Sequence, residues 1–586
     1  MKTFWKSESG NFAMMTAVLL PVLLAGVGLS IDTAHIVNTK SRLQNIVDSA
    51  VLAASRENAS DAERRALFND FVSSQSVNSI IGLPETSLTI DEGLNYIQLT
   101  GRIEARIGLL LMDRFGHQEI SVSATTLRST KTLEIAMVLD NTGSMGQAGI
   151  NALKRASKAL LAAIDANGDP RQEVHVGLVP FVTAVNIKAE GFKEEWIDRK
   201  GEALYNGWNF ISPTMRGARP TQTPQQRRAD LSEPVLQDTM AEWAHWDNNL
   251  GGCSGTNSSA AARNLRSMCN RVRKYPHHMY LFEQADVAWK GCVEARPMPY
   301  NLDLTPPDPS RPDTLFVPYF APSEPVGRMN NGGNDSQNFN NSWLDHKTRY
   351  DLNNMNDERR IAMQRSPIKY MFLDTPQAQR PAKTVREAPN LTLGPNRACP
   401  TPLTPLTTDM AKVNAGIDAM QFWNGSGTNI AEGLAWGWRL LSPGEPFAGA
   451  APFGSDSVSK FLVLMTDGTN VSFGSSRTFN KSDYGSYGFL GTPAAGTNGS
   501  RIDGAASQGA AETKLNTWTG TMCTNMKAQG IEIYTVIYNT TNAAVRTLFQ
   551  NCASRPGNFH MANNTAALEA AFAKIGSDVA SLHLTH

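Results

Sequence analysis

The hydrophobic pattern changes character partway through the first sixty residues. Residues 12–31 (FAMMTAVLLPVLLAGVGLSI) are apolar and carry no charge, and about 20 helical residues at ~1.5 Å each cross a ~30 Å hydrocarbon core. Pro21 is tolerable within such a helix because neighbouring groups can re-satisfy the freed carbonyl. Beyond the run, Leu43, Ile46, Val47, Ala50, Val51 and Ala54 recur at helical spacing, so the helix continues past the membrane as an amphipathic one. A cleaved leader would have a shorter apolar core of roughly 7–15 residues, so an anchor is expected. Residues 60–74 (SDAERRALFNDFVSS) predict a second helix. In 95–106, Ile97, Leu99, Gly101, Ile103 and Ala105 alternate, as do Ile120, Val122 and Ala124 further on; period two predicts strands, and with the helices a small α+β module.

A different pattern begins at 133–139 (LEIAMVL), an apolar, β-prone run of the kind expected in a strand buried on both faces. A helix follows, with Ile150, Leu153, Leu160, Leu161 and Ile164 on one side. Residues 174–181 and 531–538 read as further strands, and an apolar strand in KFLVLMTDGTN (460–470) ends at Asp467. Helices are expected at 521–529, 543–551 and 565–579. Alternating strands and helices predict an α/β fold with a doubly wound, mostly parallel sheet. An insertion at about 187–420, rich in Pro, Asn, Arg and Trp, exceeds any ordinary strand-to-helix connection. It reads as a loop-rich, disulfide-tied excursion on the ligand-facing edge, either a recognition surface or a solvated insertion. His277-His278 in it is expected in a surface loop, and its arginine clusters on solvated faces.

Length and charge narrow the function. A chain of 586 residues holds more than one core. Lys plus Arg and Asp plus Glu both number 54, which leaves no basic excess to gather nucleic acid. The six cysteines contain no C-x-x-C pair, against a zinc ribbon or redox site, and all lie downstream of the apolar run, where export favours disulfides. Cys523 and Cys552 both fall at one side of the 531–538 strand; they are a candidate bridge, with two separate buried thiols as the alternative. Cys253, Cys269, Cys292 and Cys399 leave three pairings open.

The candidate chemistry lies at strand ends. Asp140, Thr142 and Ser144 alternate in the loop after 133–139, so three oxygens can face one point. Thr428 opens an amphipathic helix carrying Ile430, Leu434 and Leu440, and Asp467 follows an apolar strand. Open α/β sheets bind ligands at the carboxyl ends of their strands, and hard cations want such oxygen donors. Together these five residues resemble the metal-ion-dependent adhesion site of von Willebrand A domains, with D-x-T-x-S in place of the commoner D-x-S-x-S. The resemblance implies one divalent cation (Mg²⁺, or Ca²⁺ or Mn²⁺). It also implies direct hydroxyl ligands, carboxylates acting largely through water, and a coordination position open to an acidic residue of a protein partner.

The N-terminal segment GNFAMMTAVLLPVLLAGVGLSIDTAHIVNTKSRLQNIVDSAVLAAS resembles TadE/TadG-like proteins of Flp (tight-adherence) pilus systems. That resemblance implies a pilus-assembly role and makes Gly10 a processing position, although Met15 stands where processed prepilins carry Glu. Lys2 and Lys6 place the tail in the cytoplasm by the positive-inside rule, Lys40 and Arg42 acting against it. A single-pass inner-membrane protein with its bulk in the periplasm, or reaching the cell surface, is expected. The domains would be a tail (1–11), a membrane helix (12–31), a stalk with a pseudopilin-like module (32–130) and a von Willebrand A-like domain (131–586). No G-x-S-x-G, H-E-x-x-H, Walker A or G-x-G-x-x-G motif occurs, so a binding protein is expected instead of an enzyme. The alternatives are a surface adhesin unrelated to pili and a tethered hydrolase using a Mg²⁺-activated water.

Overall fold

The computed structural model of the chain describes residues 9–55, 60–75, 77, 80–93, 96–111, 117–129, 131–167, 172–211, 213–232, 256, 258–272, 275–324, 341, 343, 360–361, 364–371, 393–423, 425, 427–474 and 479–581. They form two compact units, the first running up to Lys131 and taking in Gln172, the second made of the remainder.

In the first unit one helix, α1 (Ser9–Ala54), runs through Pro21 and joins the apolar run to the amphipathic stretch. It is long and apolar enough to cross a membrane. Its first half leaves Val18, Leu20, Leu23 and Val27 exposed, whereas Leu43, Val47, Ala50, Val51 and Ala54 are buried. Helix α2 (Asp61–Ser74) starts on a capping box, Ser60 with Glu63, which satisfies two backbone N–H groups that the first turn leaves unpaired. Strands β1 (Glu85–Gly93), β2 (Tyr96–Gly108) and β3 (His117–Ser129) form an antiparallel sheet in that order. The core-facing residues of β2 are Ile97, Leu99, Ile103 and Ala105, packed with Phe68, Val72 and the buried face of α1. Gly101 breaks that apolar alternation because the helices come closest there. A methyl at Gly101 would lie 2.4 Å from Val51 Cγ2 and 2.6 Å from Phe68 Cε2.

The second unit opens with β4 (Thr132–Asp140) and α3 (Gly146–Asn167), then β5 (Val174–Phe181) and the short β6 (Val185–Asn186). Helices α4 (Pro213–Ala218), α5 (Pro224–Ser232), α6 (Ala260–Arg271) and α7 (His278–Gln284) follow. Then come β7 (Cys292–Glu294), β8 (Val317–Pro318), β9 (Thr404–Thr407), α8 (Met410–Ala419), α9 (Ile430–Leu440) and β10 (Val458–Thr466). The chain closes with α10 (Gln508–Ala528), β11 (Ile531–Tyr538), α11 (Ala543–Cys552), β12 (Phe559–Ala562) and α12 (Thr565–Ser581).

Its sheet has the order β12-β11-β10-β4-β5-β6-β7-β8, with β9 also on β5. The pairs from β12 to β5 are parallel and the remainder antiparallel, so the unit is α/β with a mostly parallel sheet. Strand β4 is buried along its whole length because successive side chains feed different cores. Leu133, Ile135, Met137 and Leu139 pack with Ile150, Leu153 and Leu160 of α3 and Leu568, Phe572 and Ile575 of α12. Ala136 and Val138 pack with Ile430, Leu434 and Leu440 of α9 and Leu515 and Met522 of α10. The glycines of α9 let it lie close to the sheet: a methyl at Gly437 would sit 2.4 Å from Val138 Cγ2, and one at Gly433 2.5 Å from Phe181 Cγ.

Three expectations about the insertion are corrected. It is loop-rich and tied by Cys292–Cys399 as expected, but it is not confined to the sheet's rim, since β7, β8 and β9 extend the main sheet, and Trp196, Phe210, Phe282, Phe316 and Phe320 join the core that holds α9. Strands of two to four residues leave no periodicity to read. His278 is fully buried, its Nδ1 2.7 Å from the Pro318 carbonyl. His277 caps α7, accepting from the Tyr280 N–H.

The arginines are not all solvated either. Arg219 is fully buried, with Nη2 donating to the carbonyls of Gly201, Ala203 and Asn206, and the buried Arg227 donates to Asp313 and the Glu202 carbonyl. Irregular buried backbone has carbonyls that no ladder satisfies, and guanidinium supplies donors for them. Cys292 is bonded to Cys399 and Cys523 to Cys552; Cys269 is also in a disulfide. Cys253 lies outside the described residues.

Candidate metal centre

The carboxyl ends of β4 and β10 lie side by side, since the strands pair in parallel up to Met465↔Leu139. Asp140 is the last residue of β4 and is fully buried. Its Oδ1 accepts the Thr142 N–H at 2.9 Å, and its Oδ2 accepts the Thr466 hydroxyl at 2.6 Å. The chain then turns through a short 3-10 segment, Gly143–Met145, into α3. The Thr142 hydroxyl lies 2.9 Å from Ser144 Oγ, which donates to Asp467 Oδ1 at 2.8 Å. Four residues singled out in the sequence are thus joined by short polar contacts, Thr466 closing the link between Asp140 and the segment of Asp467. Asp140 and Thr142 are buried, Asp467 is half-buried and Ser144 is exposed, so the cluster opens to solvent on one side.

Thr428 reaches this rim through its backbone. It exchanges two 2.8 Å hydrogen bonds with Val471, just beyond Asp467, and the next residue, Asn429, donates to the Val182 carbonyl after β5. The approach needs glycine at 427, where φ is +87° and a methyl would meet the Val471 carbonyl oxygen at 1.9 Å. Helix α9 starts immediately, capped by the Asn429 side chain on the Glu432 N–H. Asn470 Oδ1 accepts the Ile430 N–H at 2.8 Å, which ties the helix start to the β10 exit. On the other side Trp423 N donates to the Asn141 carbonyl at 2.9 Å.

The electrostatics are those of two acids pressed together. Burial pushes the Asp140 carboxyl up, against the hydrogen bonds from Thr466 and Thr142 that pull it down. Asp467 is pushed up to about 7, first by burial and then by the neighbouring Asp140. Among the described residues no group of three or more His, Cys, Asp or Glu side chains stands ready for a metal. The donor set here is instead two carboxylates plus hydroxyls, all hard oxygen. That set fits Mg²⁺ or a similar ion, whose charge would offset the burial that raises both carboxyls and the repulsion from Asp140 that adds to it at Asp467. Thr466 and Asn470 were not anticipated, although both lie in the TDGTN stretch beside Asp467. Gly10, the candidate processing position, lies in the first turn of α1.

Residues 10–60 match the protein-family model described as putative Flp pilus-assembly TadE/G-like. No curated protein matches the chain. Among solved structures, the pilus adhesin SpaC of Lactobacillus rhamnosus GG is 11% identical, with a TM-score of 0.27 over 85% of this chain and 34% of that one. The vWF domain of the type V pili tip protein Mfa5 of Porphyromonas gingivalis is 10% identical, with a TM-score of 0.29 over 77% and 95%. Proximal thread matrix protein 1 of the mussel byssus, with a zinc-occupied MIDAS motif, is 10% identical at a TM-score of 0.17 over 78% and 96%. The chain spans about a third of the length of the first of these. At such scores no residue-by-residue correspondence follows.

Proposed function

We propose that the chain is a membrane-anchored binding protein of a Flp-type pilus-assembly system, and that its second unit is a doubly wound, von Willebrand A-like domain holding one divalent cation. Asp140, Thr142, Ser144, Thr428 and Asp467 hold that ion, and Thr466 positions Asp140. Helix α1 anchors the chain in the bacterial inner membrane, with the second unit on the periplasmic side. The partner is a protein, a pilus component, that brings a carboxylate to the ion. No catalytic residue is assigned.

One observation carries this reading: a hydroxyl after β4 and a carboxylate after β10 are joined across 323 residues, with the buried Asp140 beside them. Two acids forced into one partly buried spot cost stability unless a cation sits between them. When bound, the ion supplies charge neutralisation and an electrophilic position for an anionic guest. The protein supplies orientation: Thr466 and the Thr142 N–H hold the Asp140 carboxylate from two sides, and the Gly427–Val471 approach pins Thr428 at the same rim.

Titration calorimetry with Mg²⁺ on the full chain in detergent tests it. Binding at one site per chain, lost in both Asp140→Ala and Asp467→Ala with the fold retained by circular dichroism, is the expected result. Equal Mg²⁺ binding in wild type and both variants would remove the metal from the proposal.

A further inference from the structure

The hairpin end of the first unit exposes leucines beside the end of the apolar run of α1. Strand β2 ends at Gly108, and beyond it Leu110 and Leu111 are each 60% exposed. Their backbone N–H groups donate to Asp32 Oδ1 at 2.7 and 3.1 Å. Asp32 is the first charged residue after the apolar run and is itself buried. A methyl at Gly28 would lie 3.7 Å from Leu111 Cβ, so Leu111 sits against the last turn of that run and not beyond it. Ile81, also exposed, joins the patch: its N–H donates to the Arg106 carbonyl at 2.8 Å, and its Cδ1 would meet a methyl at Gly108 at 3.4 Å.

We propose that Leu110 and Leu111, with Ile81, form a second membrane contact, dipping into the lipid boundary where α1 leaves the bilayer. This rests on reading α1 as a membrane span. The occupant follows from depth: Leu29 and Ile31 on α1 are exposed at the same level, and what covers them covers Leu111. The backbone chemistry suits that depth. Polar groups near hydrocarbon must be satisfied internally, and the Asp32 carboxylate takes up both N–H groups of the leucine segment. A single helix can turn about its own axis in lipid; a second, off-axis contact fixes which side of the first unit faces the bilayer.

The test uses the full chain in liposomes of phosphatidylcholine and phosphatidylglycerol, with a nitroxide at Leu111→Cys. Among the described residues no native cysteine is free to compete for the label. Val22→Cys, at an exposed position within the span, is the lipid reference, and Thr125→Cys on the exposed face of β3 is the water reference. Power saturation with oxygen and a nickel chelate reads each position. The expected result is an oxygen-to-nickel ratio at Leu111 several-fold above that at Thr125 and on the lipid side, with Leu110→Cys agreeing. Nickel accessibility at Leu111 equal to that at Thr125, while Val22 stays in lipid, overturns the contact and leaves the span intact. A water-like reading at Val22 fails the span and the contact with it. Shielding of Leu111 from both reagents assigns the patch to a protein partner or a second copy, and also overturns the proposal.

Discussion

Ser144 Oγ donates a 2.8 Å hydrogen bond to Asp467 Oδ1, although 323 residues lie between them. The contact exists because β4 and β10 are neighbours in parallel register, from Val458↔Thr132 to Met465↔Leu139. Parallel pairing puts both carboxyl ends at one rim, so two loops distant in sequence share one small volume.

Removing either acid separates metal binding from folding. Asp467→Asn deletes a charge that repels Asp140 in the cation-free protein, so the metal-free melting temperature at pH 8 is expected to hold or rise. Mg²⁺ affinity is expected to fall by about 100-fold or more, since even outer-shell changes at metal sites typically cost about 10–100-fold. Differential scanning fluorimetry with and without Mg²⁺ reads both effects in one experiment.

The same pair sets a pH dependence. Asp467 titrates at about 7 in the folded, cation-free protein, above the ~3.9 of an unfolded Asp. Between those values the folded state binds more protons, so its stability is present at low pH and declines as pH rises toward 7. A cation needs the carboxylates deprotonated, so the Mg²⁺-induced rise in melting temperature should be small near about pH 5 and grow through about pH 7. An equal Mg²⁺ effect at both ends of that range would contradict the paired-acid site.

Thr466→Val removes the hydroxyl that donates to Asp140 Oδ2 at 2.6 Å and keeps the side chain's shape. A hydrogen bond to a charged group contributes about 1.5–3 kcal/mol, and its loss leaves a buried carboxylate oxygen short of a donor. Mg²⁺ affinity is expected to drop about tenfold, within the range for groups that orient ligands, while Thr466→Ser retains most of it. Calorimetry on the two variants distinguishes orientation from mere packing.

Gly101→Val puts two methyls and a Cβ where Val51 Cγ2 and Phe68 already stand, within 2.4–2.6 Å of the new carbon. Overpacking of this kind typically costs about 1–3 kcal/mol. Amide hydrogen exchange should quicken across residues 43–54 and 64–72 of the first unit, while residues 133–139 of the second keep their protection.

The two assigned disulfides close loops of different size, with separations of 107 residues for Cys292–Cys399 and 29 for Cys523–Cys552. Chain-entropy reasoning gives about 5 kcal/mol for a loop near 100 residues and between about 3 and 4 for one near 30. Paired Cys→Ser replacement should therefore destabilise more at 292/399, as read by denaturant melts of the oxidised proteins.

Sequence alone was enough for those elements whose pattern is local. A strand buried on both faces writes a predominantly apolar, β-prone run, so 133–139 and 531–538 are legible without knowing their neighbours, and β5 runs from Val174 to Phe181, as its pattern indicates. Helix α1 is legible for the same reason, since its long apolar stretch and the amphipathic turns after it are both local patterns. Helix α10 shows the limit: it starts at Gln508, not near 521, because its first turns bury only Ala511, Leu515 and Trp518 among polar residues.

Tertiary structure decided everything that depends on distant partners. That Gly101 faces a core is visible in the alternation, but the cause, the approach of Val51 and Phe68, is not. The burial of Arg219, Arg227 and His278 is unreadable from sequence because their partners are backbone carbonyls and a carboxylate brought in by folding, with no spacing to announce them. The strand order that sets Asp140 beside Thr466 and Ser144 beside Asp467 is likewise global. Hydrophobic periodicity fixes which face of a strand is buried, whereas only the completed sheet fixes which strand lies next to it.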